Sequence, residues 1–383
     1  MPLYHLAFAF LLFGVVIEYW QKKTPKLLFF LSFLLLTAML CLRFGQGTDY
    51  AAYRMIFYTM PADVPGMLAY RYAKAEIGWR FITMLFRMAN VSFDVFSVLL
   101  SAIQMLLLWR FLKRYCENKI LALFLGYHTL YLTYLVSAMR QGTVIIVFLG
   151  LLLPWLLEGK WIRYCICSAL LLTIHSVAIV LFVPLVVLII RFRVQHMVAL
   201  VCIGFSVGIV LAIFGVGNIL STFGMSYAGE SEISVVALAE RLATYVLVTY
   251  MYYLYCDGLE PDHNDPYCKL FKIYSIGILI YGALMWSPLI SSRTIFALKA
   301  LEIPLITTCI VKCRKGRSIA LVYCALLCTV LYVKNISSSI SQSEYLDTSV
   351  IRYPYYSIWD KEEAIAGRAE TSRYYEWLYR TSR

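Results

Sequence analysis

The stretch LTYLVSAMRQGTVIIVFL, residues 132–149, is almost entirely apolar, yet it carries Arg140 and Gln141 in its middle. Arg140 is the only side chain of fixed charge between Ile120 and Leu157. Each half of this longer apolar region is close to the length of about 20 residues with which a helix crosses a bilayer. The sequence therefore predicts two membrane-spanning helices with a guanidinium at the junction between them.

The remainder of the chain is similar in composition. Of its 383 residues, 61% are hydrophobic and 15% are charged, whereas soluble domains are about 45–50% apolar and about 25% charged. We predict an all-α fold, a polytopic transmembrane helical bundle of about twelve spans in residues 1–334, followed by an outer-face C-terminal tail, residues 335–383. The predicted spans are 2–20, 27–44, 93–112, 120–138, 141–158, 161–174, 176–190, 195–216, 235–255, 269–290, 294–311 and 318–334.

The loops between these spans predict how the bundle is oriented. With twelve spans, five basic loops fall on one side, and cytoplasmic loops of membrane proteins are enriched in Lys and Arg. These loops are 21–26, 113–119, 159–163, 191–193 and 312–317. We therefore predict that this side is cytoplasmic and that both termini lie outside. A high net charge that is placed in this way does not indicate a nucleic-acid partner.

The first outer loop is an exception to the charge rule, and we interpret its basic residues as groups for an anionic ligand outside. They are Arg43, Arg54, Arg71, Lys74 and Arg80. Within this loop, the segment 76–90 is too short and too charged to span lipid. We predict that it forms a re-entrant or interfacial helix on the outer face.

Three ionisable residues, Arg140, His175 and Arg293, lie at predicted outer junctions between spans. A charged residue at the centre of a membrane helix costs about 2.5–3.5 kcal/mol on insertion scales, so such residues are functional candidates. Further candidates for ligand binding are Arg43, Asp49, Tyr53, Arg54, Glu76, Gln141, Glu240, Arg241 and Tyr355. Because arginine binds phosphate through a planar fork, several arginines in one cavity suggest a diphosphate, such as a polyprenyl diphosphate.

Several of these residues also have purely structural interpretations. Arg140 and Arg293 could be interfacial anchors, His175 a helix cap, and Asp49 the N-cap of a helix that Pro61 ends. Glu76 could simply start the helix 76–90, and Lys299 and Glu302 could pair at i and i+3. Glu240 and Arg241 are adjacent, so we expect no simple mutual salt bridge and expect at least one of them to face a polar cavity.

In these motifs the chain resembles the EpsG-like family of bacterial exopolysaccharide polymerases, related in role to Wzy-type O-antigen polymerases. The matching pieces are RFGQGTDYAAY from Arg43, EIGWRFI from Glu76, RQG from Arg140, IHSVAIV from Ile174, SSRTIF around Arg293 and YPYYSIW near the end. They occur in the same order across about residues 40–360. One departure is RQGTV, where the family has Leu-Ala after RQ; it does not affect the assignment.

The resemblance implies a membrane-embedded glycosyltransferase in the bacterial cytoplasmic membrane, with its active site facing outside. It would join oligosaccharide repeat units carried on undecaprenyl diphosphate. Arg140 and Arg293 would stabilise the leaving diphosphate, and Arg43 and Arg54 would hold phosphate. His175 is the first choice for the general base, with Asp49 and Glu76 as alternatives. We expect no metal, nucleotide sugar or cofactor.

The expected partners are the lipid-linked oligosaccharide, the bilayer, a chain-length regulator and a flippase, with no nucleic acid. Three other functions stay open. An O-antigen ligase would use the same donor and a different acceptor. A transporter or flippase for the lipid-linked glycan would need charges through the whole bilayer, and an acyltransferase would need an acyl-donor entry.

Overall fold

The computed structural model describes residues 2–47, 49–70, 75–190, 193–222, 235–256, 265–313, 315–341 and 355–369. These residues form helices, and the only β pairing among them is an isolated antiparallel bridge between Arg43 and Ser357. The predicted all-α polytopic bundle is confirmed. Arg71, Lys74 and parts of the predicted tail lie outside the described residues.

We number the helices of the described residues in chain order. They are α1 (Pro2–Gln21), α2 (Lys26–Cys41), α3 (Tyr50–Thr59), α4 (Val64–Ala69), α5 (Ile77–Met88), α6 (Phe93–Tyr115), α7 (Lys119–Ser137), α8 (Met139–Leu157), α9 (Trp161–Leu172), α10 (Ser176–Ile189), α11 (Val194–Ile213), α12 (Val216–Thr222), α13 (Val235–Tyr255), α14 (Pro266–Ala283), α15 (Pro288–Lys299), α16 (Glu302–Lys312), α17 (Arg317–Ser341) and α18 (Lys361–Ala369).

Every predicted span coincides with helical structure, although not all of these helices are long. Among the described residues, six helices have the length and composition to cross a membrane, namely α1, α6, α7, α8, α11 and α13. The predicted span 294–311 is instead a broken pair, because α15 and α16 bend by 44° at the break between them. If that pair is one span, the number rises to seven, and α2, α9, α10 and part of α17 are shorter apolar helices.

The two helices that flank Arg140 are irregular. α7 is π-helical from Tyr127 to Ser137, and α8 contains a π-helical segment, Phe148–Leu152. Ala138, with φ −97° and ψ 68°, interrupts the chain between them. π-Helical segments are rare and often occur at functional sites. Because the chain is interrupted at Ala138, Arg140 lies in the first turn of α8.

Side-chain contacts identify the two ends of the bundle. Tyr4 at the start of α1 donates a hydrogen bond to Gln46, and the Tyr355 hydroxyl donates to the Met39 carbonyl at 3.2 Å. The start of the chain and the segment 355–369 thus share one end, which we call the cap end.

The basic loops gather at the opposite end. Thr24 contacts the Glu117 carbonyl at 3.2 Å, Arg114 pairs with Glu158 at 2.6 Å, and the Arg317 guanidinium lies 4.8 Å from the Tyr19 ring centroid. These contacts bring together four of the five loops that the sequence places on one side.

Three short helices, α3, α4 and α5, cover the cap end between α2 and α6. Their apolar side chains form a second hydrophobic cluster with the start of α6 and with Met139. α5 buries Trp79 and Met84 but leaves Phe81 and Leu85 nearly half exposed. This two-sided apolar character is what we expect of a helix at a membrane interface. We call α3, α4 and α5 the cap. Because Met139 belongs to the same cluster, the cap packs directly beside the start of α8.

Candidate functional site

Arg140 is held by two elements of the cap. Its Nη1 donates a hydrogen bond to the Glu76 carboxylate, and its guanidinium carbon lies 5.7 Å from the Tyr53 ring centroid. The side chains of Arg140 and Glu76 are 17% and 24% exposed, so the pair is only partly enclosed. An arginine fixed in this way by the protein is not simply an anchor for lipid phosphate. The charge at the junction of α7 and α8 instead joins the bundle to the cap.

Glu76 also connects Arg140 to the start of α10. Its second oxygen, Oε1, accepts a hydrogen bond from the Ser176 amide at 3.0 Å and lies 4.0 Å from His175 Nδ1. Glu76 occupies the N-cap position of α5, as the structural interpretation predicted, but its side chain does not cap that helix. It caps α10 instead.

Gly78 makes this arrangement possible. Its amide donates to the Thr173 carbonyl at 2.8 Å, where α5 meets the end of α9. A Cβ at position 78 would lie 2.2 Å from Thr173 Oγ1 and 2.8 Å from the Thr173 carbonyl oxygen. Only glycine allows this close approach, which brings Glu76 next to Ser176.

His175 lies between α9 and α10, at the turn that the sequence predicted. Its Nδ1 accepts a hydrogen bond from the Val177 amide at 3.2 Å. In a neutral imidazole with Nδ1 as acceptor, the proton resides on Nε2. Burial lowers the pKa of His175 below its ordinary value, and Arg140 and Arg293 lower it further, whereas Glu76 opposes them. Neutral His175 therefore presents a donor, Nε2–H.

Arg293 is in the second turn of α15, and its side chain is exposed. Gln141 holds the backbone there, because its Nε2 donates to the Arg293 carbonyl at 2.7 Å. No carboxylate of the described residues lies within 4.0 Å of the Arg293 guanidinium. Arg293 is thus a cation without an ion-pair partner in the described part of the chain, near His175. The structure brings together Arg140, His175, Arg293, Glu76, Gln141 and Tyr53.

Arg43 does not belong to this group. Only 1% of it is exposed, and its guanidinium donates to Ser101 Oγ at 3.0 Å and to the Leu135 carbonyl at 3.3 Å. These groups and the Leu40 carbonyl at the end of α2 engage the terminal nitrogens of Arg43. Its expected role in holding phosphate stays a prediction, and its burial sets it apart from the cluster around Arg140.

Arg54, Asp49 and Tyr355 also have positions that stabilise the cap. Arg54 pairs with Asp94 at 3.4 Å and packs over the Phe44 ring, so it is held within the cap; its expected role in holding phosphate stays a prediction. Asp49 precedes α3 at the N-cap position as predicted, but its side chain makes no capping hydrogen bond. Tyr355 contacts the end of α2.

Glu240 and Arg241 form a second charged group with Lys299 and Glu302. Contrary to the expectation for adjacent residues, Arg241 Nη1 lies 3.6 Å from Glu240 Oε2. The predicted pair of Lys299 and Glu302 is confirmed at 2.7 Å, and Lys299 also contacts Glu240 at 2.9 Å. Glu240 and Arg241 both line a cavity of about 820 Å³, but its lining is mostly apolar, whereas the sequence predicted a polar cavity.

The fold and this site define a polytopic helical membrane protein whose ionisable side chains converge beside a cap at one end of the bundle. The model of the EpsG family matches residues 26–354, which is most of the chain. The chain therefore belongs to the EpsG family, a Wzy-type polymerase-like family, and has a membrane polysaccharide polymerase-type function. No curated protein and no solved structure matches it. Of the candidate residues, only Tyr355 lies outside the matched range.

Proposed function

We propose that this protein is a glycosyltransferase that polymerises oligosaccharide repeat units carried on undecaprenyl diphosphate. In this proposal the cap end faces the outside of the bacterial cytoplasmic membrane. The four basic loops at the opposite end support that orientation, since such loops are enriched on the cytoplasmic side. The family supports the polysaccharide product.

One observation carries the proposal. Arg293, exposed and without an ion-pair partner among the described residues, lies near a guanidinium, Arg140, that Glu76 fixes in place. This pair suits a lipid-linked diphosphate, because Arg293 offers a planar fork to phosphate oxygens and Arg140, held by Glu76, adds positive charge beside it.

The reaction exchanges one bond at the anomeric carbon of the donor sugar. The bond from that carbon to the diphosphate oxygen breaks, and its electron pair leaves with the diphosphate. A hydroxyl oxygen of the acceptor glycan forms the new bond, through a transition state with oxocarbenium character. Arg293 and Arg140 stabilise the charge that develops on the diphosphate, because fixed donors act most strongly in a site with little water.

The hydrogen bonds of the site favour a different role for His175 from the one the sequence suggested. Since Nδ1 is occupied by the Val177 amide, neutral His175 donates through Nε2 and stabilises the leaving diphosphate. The hydroxyl proton then passes to a carboxylate. We assign that role to Glu76, which is partly exposed and adjacent to His175, with Asp49 as the alternative.

The test is polysaccharide size in a strain that lacks this gene and is complemented with wild type, Arg140→Ala or Arg293→Lys. We expect long polymer from the wild type, and little polymer with accumulated single lipid-linked repeats from both variants. Arg293→Lys retains the charge but loses the fork, and we expect polymer to fall about 10²-fold, the typical cost of removing one stabilising donor. Arg163→Lys is the matched control, because Arg163 is exposed in the first turn of α9 near the opposite end.

All variants are compared at equal levels in the membrane. Normal polymer from both Arg140→Ala and Arg293→Lys would contradict the proposed site. If the wild type instead transfers preformed polymer to a different acceptor, the protein is a ligase and the polymerase proposal fails.

A further inference from the structure

The cavity beside the second charged group is large enough for a ligand. It measures about 820 Å³ and lies between α7, α13, α15 and α17, and ligand pockets are commonly about 300–1,000 Å³. Most of the described residues that line it are apolar. On α13 the lining includes two alanines one turn apart, Ala239 and Ala243, whose small side chains leave room beside the helix.

The cavity opens sideways between α13 and α17. Val235 and Val236 on α13 and Leu326 and Val330 on α17 line it, and they are 76%, 51%, 61% and 49% exposed. α13 has the length and composition of a membrane span and α17 is apolar over Arg317–Val333, so their exposed apolar side chains are expected to face hydrocarbon chains. The opening is therefore accessible from lipid, and an apolar molecule can enter it without crossing water.

The charges on the cavity wall are balanced within the protein. Glu240, Arg241 and Lys299 line the cavity, and Glu302 pairs with Lys299 from behind. Two cations face two anions in this group, which leaves no net charge to attract a phosphate. Arg241 also donates to the Ala237 carbonyl at 2.8 Å and to Ser292 Oγ at 3.2 Å. The cavity is thus suited to an uncharged, apolar occupant.

The part of the cavity that Ser292 and Tyr134 line is close to the candidate site. Ser292 lines the cavity, accepts the hydrogen bond from Arg241, and directly precedes the exposed Arg293. Tyr134 also lines it and packs on Phe296 of α15, with ring centroids 4.0 Å apart. Tyr134 is within electrostatic range of both Arg241 and Arg293, so the cavity ends close to Arg293, which has no ion-pair partner among the described residues.

We propose that this cavity holds the polyprenyl chain of the donor lipid while its diphosphate binds Arg293 and Arg140. The identity of the lipid rests on the proposed function; the apolar walls, the lateral opening and the balanced charges do not. The division of polarity matches such a molecule, with one long hydrocarbon chain and one strongly anionic end. The Glu240–Arg241–Lys299–Glu302 group shapes the wall and does not bind the headgroup.

The test measures binding without turnover. Protein in nanodiscs is titrated with undecaprenyl diphosphate and, separately, with inorganic diphosphate, and bound ligand is counted by native mass spectrometry. Ala239→Trp and Ala243→Trp each fill the cavity, and we expect each to weaken undecaprenyl diphosphate binding at least tenfold without changing inorganic diphosphate binding. Arg293→Gln should weaken both. Val246→Trp is the matched control, since Val246 is on α13, 67% exposed and not part of the lining.

Using two filling sites keeps the test valid if one variant does not fold. Unchanged binding of undecaprenyl diphosphate in the folded filling variant would overturn the proposal. Equal competition by a phospholipid with ordinary acyl chains would also overturn it, because the cavity would then not be a donor site. A wild type that binds as expected but makes no polymer would contradict the proposed function and leave the cavity proposal standing.

Discussion

At residue 175, one backbone hydrogen bond decides which ring nitrogen of the neutral imidazole carries the proton. The Val177 amide points at Nδ1, so the neutral ring carries its proton on Nε2. A sequence shows that a histidine lies at a turn between apolar helices, and this was predicted correctly. It does not show which ring nitrogen accepts the backbone hydrogen bond, because that depends on the backbone angles at the start of α10.

Substitution of His175 distinguishes a donor from a base. A glutamine amide can place an N–H near the position of Nε2, whereas an asparagine amide reaches only the position of Nδ1. We expect His175→Gln to retain a substantial fraction of polymer synthesis and His175→Asn to lose at least tenfold more. The measurement is initial rate with purified protein and lipid-linked repeat units. Loss of activity to the same low level in both variants would instead support His175 as the base.

The lowered pKa of His175 also predicts a pH dependence of stability. As the pH falls below about 6.5, the ordinary pKa of histidine, His175 takes up a proton in the unfolded chain before it does so in the folded chain. The contribution to stability is therefore complete above about pH 6.5 and is lost as the pH falls toward the folded pKa. We expect the Tm of the wild type to fall more than the Tm of His175→Gln when the pH is lowered from 7.5 to 5. A difference that stays constant over this range would contradict the shift.

Other individual residues make contacts that the sequence did not predict. Arg43 looked like a ligand for phosphate because it follows a span, but a buried guanidinium there satisfies carbonyl and hydroxyl groups of three elements. Glu240 and Arg241 were expected to point apart, since adjacent Cβ atoms diverge on a helix. Their side chains are long enough to approach within 3.6 Å.

At the scale of elements, the site depends on how α5 meets α9 and α10. Hydropathy located the apolar helices, because long apolar runs have few alternatives. Of the twelve predicted spans, however, only six, or seven with the bent pair, have the length and composition to cross a membrane among the described residues. Hydropathy did not predict the π-helical segments beside Arg140 or the bend between α15 and α16. Those irregularities arise from packing between helices that are distant in sequence. The hydrogen bond from Ser176 to Glu76, across 100 residues, has no local sequence signal either.

Gly78→Ala tests this helix junction. The added methyl group would lie 2.8 Å from the Thr173 carbonyl oxygen, so the backbone must move. We expect a loss of about 1–3 kcal/mol in stability, as for other overpacked sites, and a fall in polymer synthesis of at least tenfold because Glu76 is displaced. Thermal unfolding and product length measure the two effects.

Gly126→Ala is the matched control for this substitution. A Cβ at position 126 would meet Ile303 Cδ1 at 3.5 Å, an ordinary contact. If Gly78→Ala is as stable and active as Gly126→Ala, the close approach of α5 and α9 does not position the site.

At the scale of the whole molecule, the bundle has two chemically different ends. Basic loops meet at one end, and the cap, the segment 355–369 and the candidate site meet at the other. The sequence predicted this asymmetry from charge alone. Residues from distant parts of the chain hold the cap in place. Asp94 on α6 binds both Arg54 of α3 and Lys361 of α18. The candidate site is therefore enclosed only when distant parts of the chain are in place.

The buried charged group has a consequence for how the protein is made. α13 enters the membrane with Glu240 and Arg241, and its most apolar stretch has a mean hydropathy of only 1.2, against 2.4 for α11. Lys299, which pairs with Glu240, and Glu302, which pairs with Lys299, are synthesised later. We expect α13 to integrate poorly when the chain is truncated after residue 265 and fully when synthesis continues past residue 320. A glycosylation reporter placed after α13 measures this, because its side of the membrane depends on whether α13 crosses, and Glu240→Leu with Arg241→Leu should remove the difference.

Integration of α13 would thus wait for α15 and α16, and the translocation machinery would have to retain or readmit a helix that lipid alone does not favour. The order of synthesis then becomes part of the folding pathway. The region between α13 and α15 is completed late, and so is the wall of the cavity. Mutations in α16 would be expected to trap nascent chains with α13 outside the bilayer, where quality-control proteases could remove them.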